Sequence, residues 1–231
     1  MVELVDTRDL KSLEGNFVPV QVRLWAPSPL FFMIKFLNLS SDQPYLFFQS
    51  LYESALENGQ KGIEAISVSS YDKAASEVEA RYVNLKYIAN NEWIFFSNYQ
   101  SPKASQFESH NQVSVLIYWA SINTQIRMKA RIFKTSAKFS DDHFNSRTKE
   151  KNALAISSNQ SRPIDDFDEV AKNFYETLSV MDSHTPRPDF WGGYSFIPYY
   201  FEFWQGHENR LNKRHIFKQQ DDAWVEQFLQ P

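Results

Sequence analysis

Four short stretches of this 231-residue chain gather cations where a strand or a helix could present them to an anion. In RYVNLK, Arg81 and Lys86 stand five apart, so on one continuous strand they point to opposite faces near its ends. In FFSNYQSPKASQFE, Ser101 is placed to cap a helix, with Pro102 at its first position and Lys103 in its first turn. A lysine there opposes the helix dipole. If an anion such as a phosphate binds, free backbone N–H groups, dipole and ammonium all converge on it. An exposed surface lysine explains the spacing equally well. In NSRTKEKNALAISSNQSRP, Arg147, Lys149 and Lys151 fall on a polar helix, the usual form of a solvated face, ahead of Gln160, Ser161 and Arg162 in a loop. In EFWQGHENRLNKRHIF, Trp204 precedes Arg210, Lys213 and Arg214.

The elements that must position these groups are mostly strands. A helix is expected first, capped at Asp42, with Pro44 in its first turn. Phe47, Phe48, Leu51, Tyr52, Ala55 and Leu56 form its apolar stripe, and Asn58-Gly59 ends it. The period then changes to two, and strands are predicted at 63–69, 77–88, 93–97, 112–119 and 125–133. In the last, Ile126, Met128, Ala130 and Ile132 alternate with Gln125, Arg127, Lys129 and Arg131, so one face is core and the other is wet or meets a ligand. Helices are predicted at 141–156 and 165–181, the second with Phe167, Val170, Ala171, Phe174, Tyr175, Leu178 and Met181 on one stripe. Strands return at 194–204, 213–218 and 223–228, the last two joined at Asp221-Asp222 as a hairpin. Many short strands with few helices indicate a mainly β chain, a barrel with peripheral helices.

Composition narrows the chemistry. The chain has no cysteine, which excludes disulfides, thiolate metal sites and a cysteine nucleophile. No histidine pair has metal-ligand spacing, so no metal site is expected. The net charge of −4 gives no global attraction to nucleic acid or membranes, so any anion site must be local. With 6 Gly and no glycine-rich phosphate loop, neither a Rossmann nor a P-loop fold is supported. MVELVDTRDLKSLEG is charged from the start and does not read as a signal peptide. The run LFFMIKFLNL is about half a membrane span and carries Lys35, so it reads as a buried strand or docking segment. A cytoplasmic location is the default expectation.

Taken together, RYVNLK, FFSNYQSPKA, TQIRMKA, HFNSR, NQS, RPDFWGGY, EFWQGHENRLNKR and DAWVEQFLQP resemble the pyridoxamine 5'-phosphate oxidase family from the Asp42 helix to Pro231. The last third is the most specific, and residues 1–40 match poorly. The resemblance implies an FMN-binding split β-barrel and a homodimer with FMN at the subunit interface. Residues 1–40 would be an N-terminal extension of the kind that covers the active site, and 41–231 the split-barrel domain with C-terminal dimerisation strands. By motif, Arg81, Lys86, Phe96, Ser97, Lys103, Gln125, Gln160, Ser161, Trp204 and Arg214 would contact FMN, with Gln160 and Ser161 reaching it from the partner chain. Lys86, His143, Arg147, Lys151, Arg210 and Asn212 would bind a small phosphorylated pyridine, and Arg210 and Asn212 would be the catalytic pair. The implied reaction oxidises a vitamin B6 phosphate to pyridoxal 5'-phosphate, with dioxygen giving hydrogen peroxide.

Departures from the family pattern fall mainly on the substrate side. Pro102 replaces an FMN-phosphate arginine, and Phe96-Ser97 stands for Tyr-Thr. His143 replaces a tyrosine, Lys151 a serine and Asn212 a histidine. Asn212 can hydrogen-bond but cannot carry a proton at neutral pH. Two alternatives therefore stand beside the oxidase reading. One is an FMN enzyme of this scaffold acting on another aromatic substrate. The other is a protein that binds FMN or pyridoxal phosphate without turnover.

Overall fold

A computed structural model describes residues 33–231 apart from Asp222, so most of the expected 1–40 extension lies outside the described residues. Ten strands form one sheet, β1 (Lys35–Leu37), β2 (Ala65–Asp72), β3 (Glu77–Asn84), β4 (Tyr87–Ala89), β5 (Glu92–Asn98), β6 (Gln112–Trp119), β7 (Thr124–Lys134), β8 (Trp191–Gln205), β9 (Lys213–Gln220) and β10 (Ala223–Leu229). Among the described residues five α-helices accompany it, α1 (Gln43–Glu57), α2 (Pro102–Ser109), α3 (Ala137–Ser146), α4 (Lys149–Ser157) and α5 (Asp168–Val180). The fold is mainly β, as the periodicity indicated. Within the expected extension, Lys35–Leu37 pairs in parallel with β4.

The sheet runs β1-β4-β5-β8-β7-β6-β2-β3, and β9 and β10 branch from β8. The branch follows from the length of β8. Its first half pairs with β5 along one edge, from Trp191↔Asn98 to Phe196↔Trp93. Its second half pairs with β9 along that same edge, from Tyr200↔Lys218 to Gln205↔Lys213. Between these halves the β7 ladder slips, Lys129 facing Tyr200 and Ala130 facing Pro198. Proline has no N–H for the ladder, so the strand bulges and bends there and its two halves can serve different neighbours.

One face of the sheet is closed by α1. Phe48 sits 4.4 Å from Trp93 and 5.4 Å from Trp119, ring centre to ring centre. Phe48, Trp93, Trp119, Phe95, Phe196 and Phe201 are all essentially inaccessible. Each such ring contributes roughly 2 kcal/mol of burial. Asp42 stands at the N-cap of α1, but its carboxylate instead accepts from the Trp224 indole at 3.2 Å, tying the helix to β10.

Two predicted elements are divided. The strand expected over 77–88 breaks at Leu85-Lys86, where Leu85 plunges into the core. The Leu85 N–H goes to the Glu64 carbonyl and the Lys86 N–H to the Ile94 carbonyl. The helix expected over 141–156 breaks at Arg147, because Thr148 caps a new helix by accepting from the Lys151 N–H. α5 forms as predicted, but none of its residues is buried, and Phe167 and Tyr175 of the expected stripe are exposed.

Candidate functional site

The broken strand and the broken helix face each other across a cavity of about 720 Å³. Arg81 and Lys86 both line it, so they converge rather than diverge as one continuous strand would have made them. Phe96 and Ser97 come from β5, Lys103 from α2, His143 from α3, Lys151 from α4, Arg147 from the junction between those helices, and Gln160 and Ser161 from the loop beyond. Every one of these was named from the sequence. Trp191, which also lines the cavity, was not, although it opens the WGGY stretch that carries the resemblance. Its glycines allow this crowding. A Cβ on Gly192 would lie 2.3 Å from the Tyr99 hydroxyl, and one on Gly193 2.5 Å from Thr135 Oγ1. That closeness lets the Gly193 N–H reach Ser140 Oγ at 3.1 Å and fixes α3, which bears His143.

At one end of the cavity, Ser101 holds the N-cap of α2 in extended conformation, but its hydroxyl donates to the Asn98 carbonyl at 2.7 Å instead of capping the helix. The first turn therefore has no side-chain cap. Lys103 Nζ lies 3.3 Å from Ser101 Oγ. Burial, and then the Arg81 charge, lower the Lys103 pKa. Arg81 is clamped by Ser70 at 2.6 Å, Gln106 at 2.8 Å and Glu79 at 2.9 Å. Its charge thus adds to the field while most of its donors are spent on holding α2 against β2. Gln160 Oε1 accepts from Ser97 Oγ at 3.0 Å and from the Asn98 N–H at 3.2 Å. The resemblance had Gln160 and Ser161 arriving from a partner chain. Here both line the cavity of their own chain.

At the other end stand Lys86, Arg147 and Lys151. The Arg147 guanidinium lies 4.4 Å from the Trp191 ring centre and donates to the Lys151 carbonyl at 2.7 Å, and its buried Nη1 has no hydrogen-bond partner. Burial pushes its pKa down to about 10. Burial also lowers that of Lys86, and Lys151 and Arg147 add to the effect against the opposing pull of Glu64. Burial thus disfavours the charged forms of Lys86 and Arg147, and a nearby anion would favour them.

Gln125, Trp204, Arg210, Asn212 and Arg214 do not line this cavity. Gln125, Trp204 and Arg214 sit side by side across β7, β8 and β9, Gln125 opposite Trp204 and Trp204 opposite Arg214. Two residues back from Trp204 along β8, on the same face, is buried Glu202. Arg214 Nε donates to Glu202 Oε1 at 2.9 Å and Tyr200 to Oε2 at 2.9 Å, and Arg127 binds the same carboxylate. Burial raises the Glu202 pKa, but the bonds from Arg214, Tyr200 and Arg127 outweigh it and hold the carboxyl below its ordinary range. Arg210 and Asn212 lie in the β8–β9 loop. Arg210 has a left-handed backbone (φ 60°), and Asn212 Oδ1 accepts from the His207 N–H at 3.0 Å, closing the loop. Sequence reasoning missed Glu202, although its position within EFWQG was in view.

Residues 191–231 match the family model described as the pyridoxine 5'-phosphate oxidase C-terminal dimerisation region. The chain is 34% identical over 197 residues to a pyridoxine/pyridoxamine 5'-phosphate oxidase of Hydrogenovibrio crunogenus, covering 84% of this chain and 90% of the relative. It is 32% identical over 201 residues to one of Rhodopirellula baltica, with the same coverage. Among solved structures, PhzG of Burkholderia lata, determined with tetrahydrophenazine-1-carboxylic acid, superimposes with a TM-score of 0.77 at 21% identity over 81% of this chain and 92% of that one. A pyridoxamine 5'-phosphate oxidase-related, FMN-binding protein of Nostoc punctiforme gives 0.67 at 12% identity over 80% and 97%. These two show the split-barrel fold.

Proposed function

Since this chain belongs to the pyridoxine/pyridoxamine 5'-phosphate oxidase family, we propose that it is an FMN-dependent oxidase converting a vitamin B6 phosphate to pyridoxal 5'-phosphate. The observation that carries this reading is one cavity lined by two groups of cations, Arg81 with Lys103 and Lys86 with Arg147 and Lys151, together with the near-parallel rings of Phe96 and Trp191. Two anionic groups joined by flat rings, a flavin phosphate and a substrate phosphate, match that arrangement.

The residues present fit FMN. Lys103, charged and short of water beside Arg81, stands at an uncapped helix start, and Ser97, Gln160 and Ser161 add neutral polar groups. Pro102 removes the family's second phosphate arginine and with it a bidentate contact, so the charge on Lys103 has more to do. When bound, FMN supplies the two-electron acceptor that dioxygen regenerates, with release of hydrogen peroxide. The chain's own residues bind and orient. Lys86, Arg147 and Lys151 take the substrate phosphate, and Phe96 and Trp191 wall the cavity with parallel rings 5.3 Å apart. Gln125, Trp204, Arg214, Arg210 and Asn212 would complete the cavity of a second copy, making the enzyme a homodimer with FMN at the interface. The match of residues 191–231 to a dimerisation region supports that assignment. Among the described residues no helix is long and apolar enough to cross a membrane. A cytoplasmic location belongs to this proposal and is checked by cell fractionation.

Asn212 favours a second reading. Its side chain closes its own loop where the family has a histidine, which suits a flavoenzyme with another aromatic substrate, or binding without turnover. One assay separates the three. Purified protein reconstituted with FMN is given pyridoxamine or pyridoxine 5'-phosphate under air, and peroxide is measured. Stoichiometric peroxide supports the oxidase. A bound flavin reduced only by some other aromatic compound supports the second reading. A bound flavin that nothing reduces leaves the non-catalytic one.

A further inference from the structure

His143 stands where a charged histidine could not be kept. Lys35 on β1, Lys86 before β4, Arg147 after α3 and Lys151 on α4 all act on it with the same sign. Burial first and then these cations push its pKa down to about 3. Its ring is stacked on Phe96 with centres 3.6 Å apart and planes 15° from parallel, and lies 6.2 Å from Trp191 at 9°. Tyr87 meets it edge-on, with its hydroxyl 2.8 Å from Nδ1. Burial raises the Tyr87 pKa against a hydrogen bond with the Ser146 side chain that lowers it, so the phenol keeps its proton. Ser146 next to it donates to the His143 carbonyl at 2.7 Å, which holds the end of α3 in place.

We propose that Tyr87 fixes His143 as the neutral imidazole with its proton on Nε2, and that this N–H is an uncharged hydrogen-bond donor to the substrate phosphate. The inference rests on the reading above that Lys86 and Arg147 take that phosphate. A neutral imidazole carries one donor and one acceptor. With Nδ1 accepting from Tyr87, the donor is Nε2–H on a ring that lines the cavity. The family's tyrosine hydroxyl at this position is also an uncharged donor. The substitution thus keeps the donor and recruits Tyr87 to orient it. Tyr87 is a positioning residue, since it acts through His143. A ring held this way does not titrate between pH 5 and 8, so His143 offers the same uncharged donor across that range.

Nitrogen-15 NMR of the histidine-labelled full chain tests the tautomer directly. His143 is expected as neutral Nε2–H from pH 8 to pH 5, with its Nε2 signal moving on titration with inorganic phosphate. A proton on Nδ1, an imidazolium at pH 6, or an Nε2 signal indifferent to phosphate overturns the proposal. In kinetics, His143→Phe keeps the stack and removes the donor. It should raise KM for pyridoxamine 5'-phosphate about tenfold with kcat nearly unchanged, while His143→Tyr restores KM. An unchanged KM in His143→Phe also overturns it. Tyr87→Phe should free the tautomer, so that an Nδ1–H population appears beside Nε2–H in the NMR spectrum while the ring stays neutral, and a spectrum unchanged from the parent's overturns the positioning role. If no vitamin B6 phosphate is turned over, the functional reading fails, and the NMR titration still decides the role of His143.

Discussion

The cavity around Lys103 and Arg147 and the sheet face around Arg214 both gather arginine and lysine, but they treat the charge in opposite ways. On the sheet face the guanidinium groups of Arg214 and Arg127 share a buried carboxylate, Glu202, which the chain itself provides. In the cavity, Lys103, Lys86 and Arg147 are partly desolvated and pushed toward losing their protons. Like charge is neutralised by a carboxylate of the chain in one place and desolvated in the other. The difference lies in whether folding supplies the counter-charge or leaves it to a ligand.

That contrast can be broken most severely at Glu202. Glu202→Ala strips two arginines of their common partner and should destabilise the fold by about 3 kcal/mol in urea unfolding, the scale for breaking a buried ion pair. A loss under about 1 kcal/mol would mean that the carboxylate is dispensable and the contrast false.

Next in size, Lys103→Ala should leave stability in plain buffer unchanged or slightly raised, because it removes a desolvated charge. It should weaken FMN binding by roughly tenfold or more, the value of a charge-assisted bond. Fluorescence quenching of FMN reads the affinity. A thermal melt with inorganic phosphate gives a second measure. Phosphate should raise the melting temperature of the parent more than that of the variant.

The pH dependence of stability separates the two regions more gently. The folded-state pKa of Glu202 is lowered, so its stabilisation is complete above the unfolded carboxyl value near 4.3 and is lost as pH falls through the lower folded value. Glu202→Gln should flatten the acid limb of the stability curve. For Lys103 and Lys86 the folded pKa is also lowered, but these groups are bases. The unfolded chain then binds the proton more tightly, and stability rises as pH climbs through the folded value toward the unfolded one. Saturating phosphate should abolish that alkaline rise. The smallest effect is expected from Arg127→Met. Arg127 is nearly half exposed, and Arg214 and Tyr200 still satisfy Glu202, so the cost should stay below about 1 kcal/mol and FMN affinity should not move.

Much was legible before any fold was known, and the reasons are local. The α1 stripe, the alternation of β7 and the Asp221 turn depend on neighbours within a few residues, and all appear where expected. The Thr148 cap was also readable, since a threonine ahead of Lys-Glu-Lys is an ordinary helix start. The polar run on either side reads as one continuous helix and masks that start. Other features had no local signal. Leu85 leaves the strand for the core, where it is fully buried, and the α5 stripe lies beside α4 with Val170, Phe174 and Leu178 only partly covered.

From residue types and motif wording alone came the family, the mainly β architecture and the identities of the candidate cations. Those properties are carried by short-range spacing and by side-chain chemistry that does not depend on where the chain goes next. Only the tertiary structure decided that Arg81 and Lys86 share one cavity, that Trp191 lines it, and that Tyr87 meets the His143 ring behind it. Counter-charge and desolvation are set by groups brought together from distant parts of the chain, as Glu202 and Arg214 are by strand pairing and Arg147 and Trp191 by ring contact.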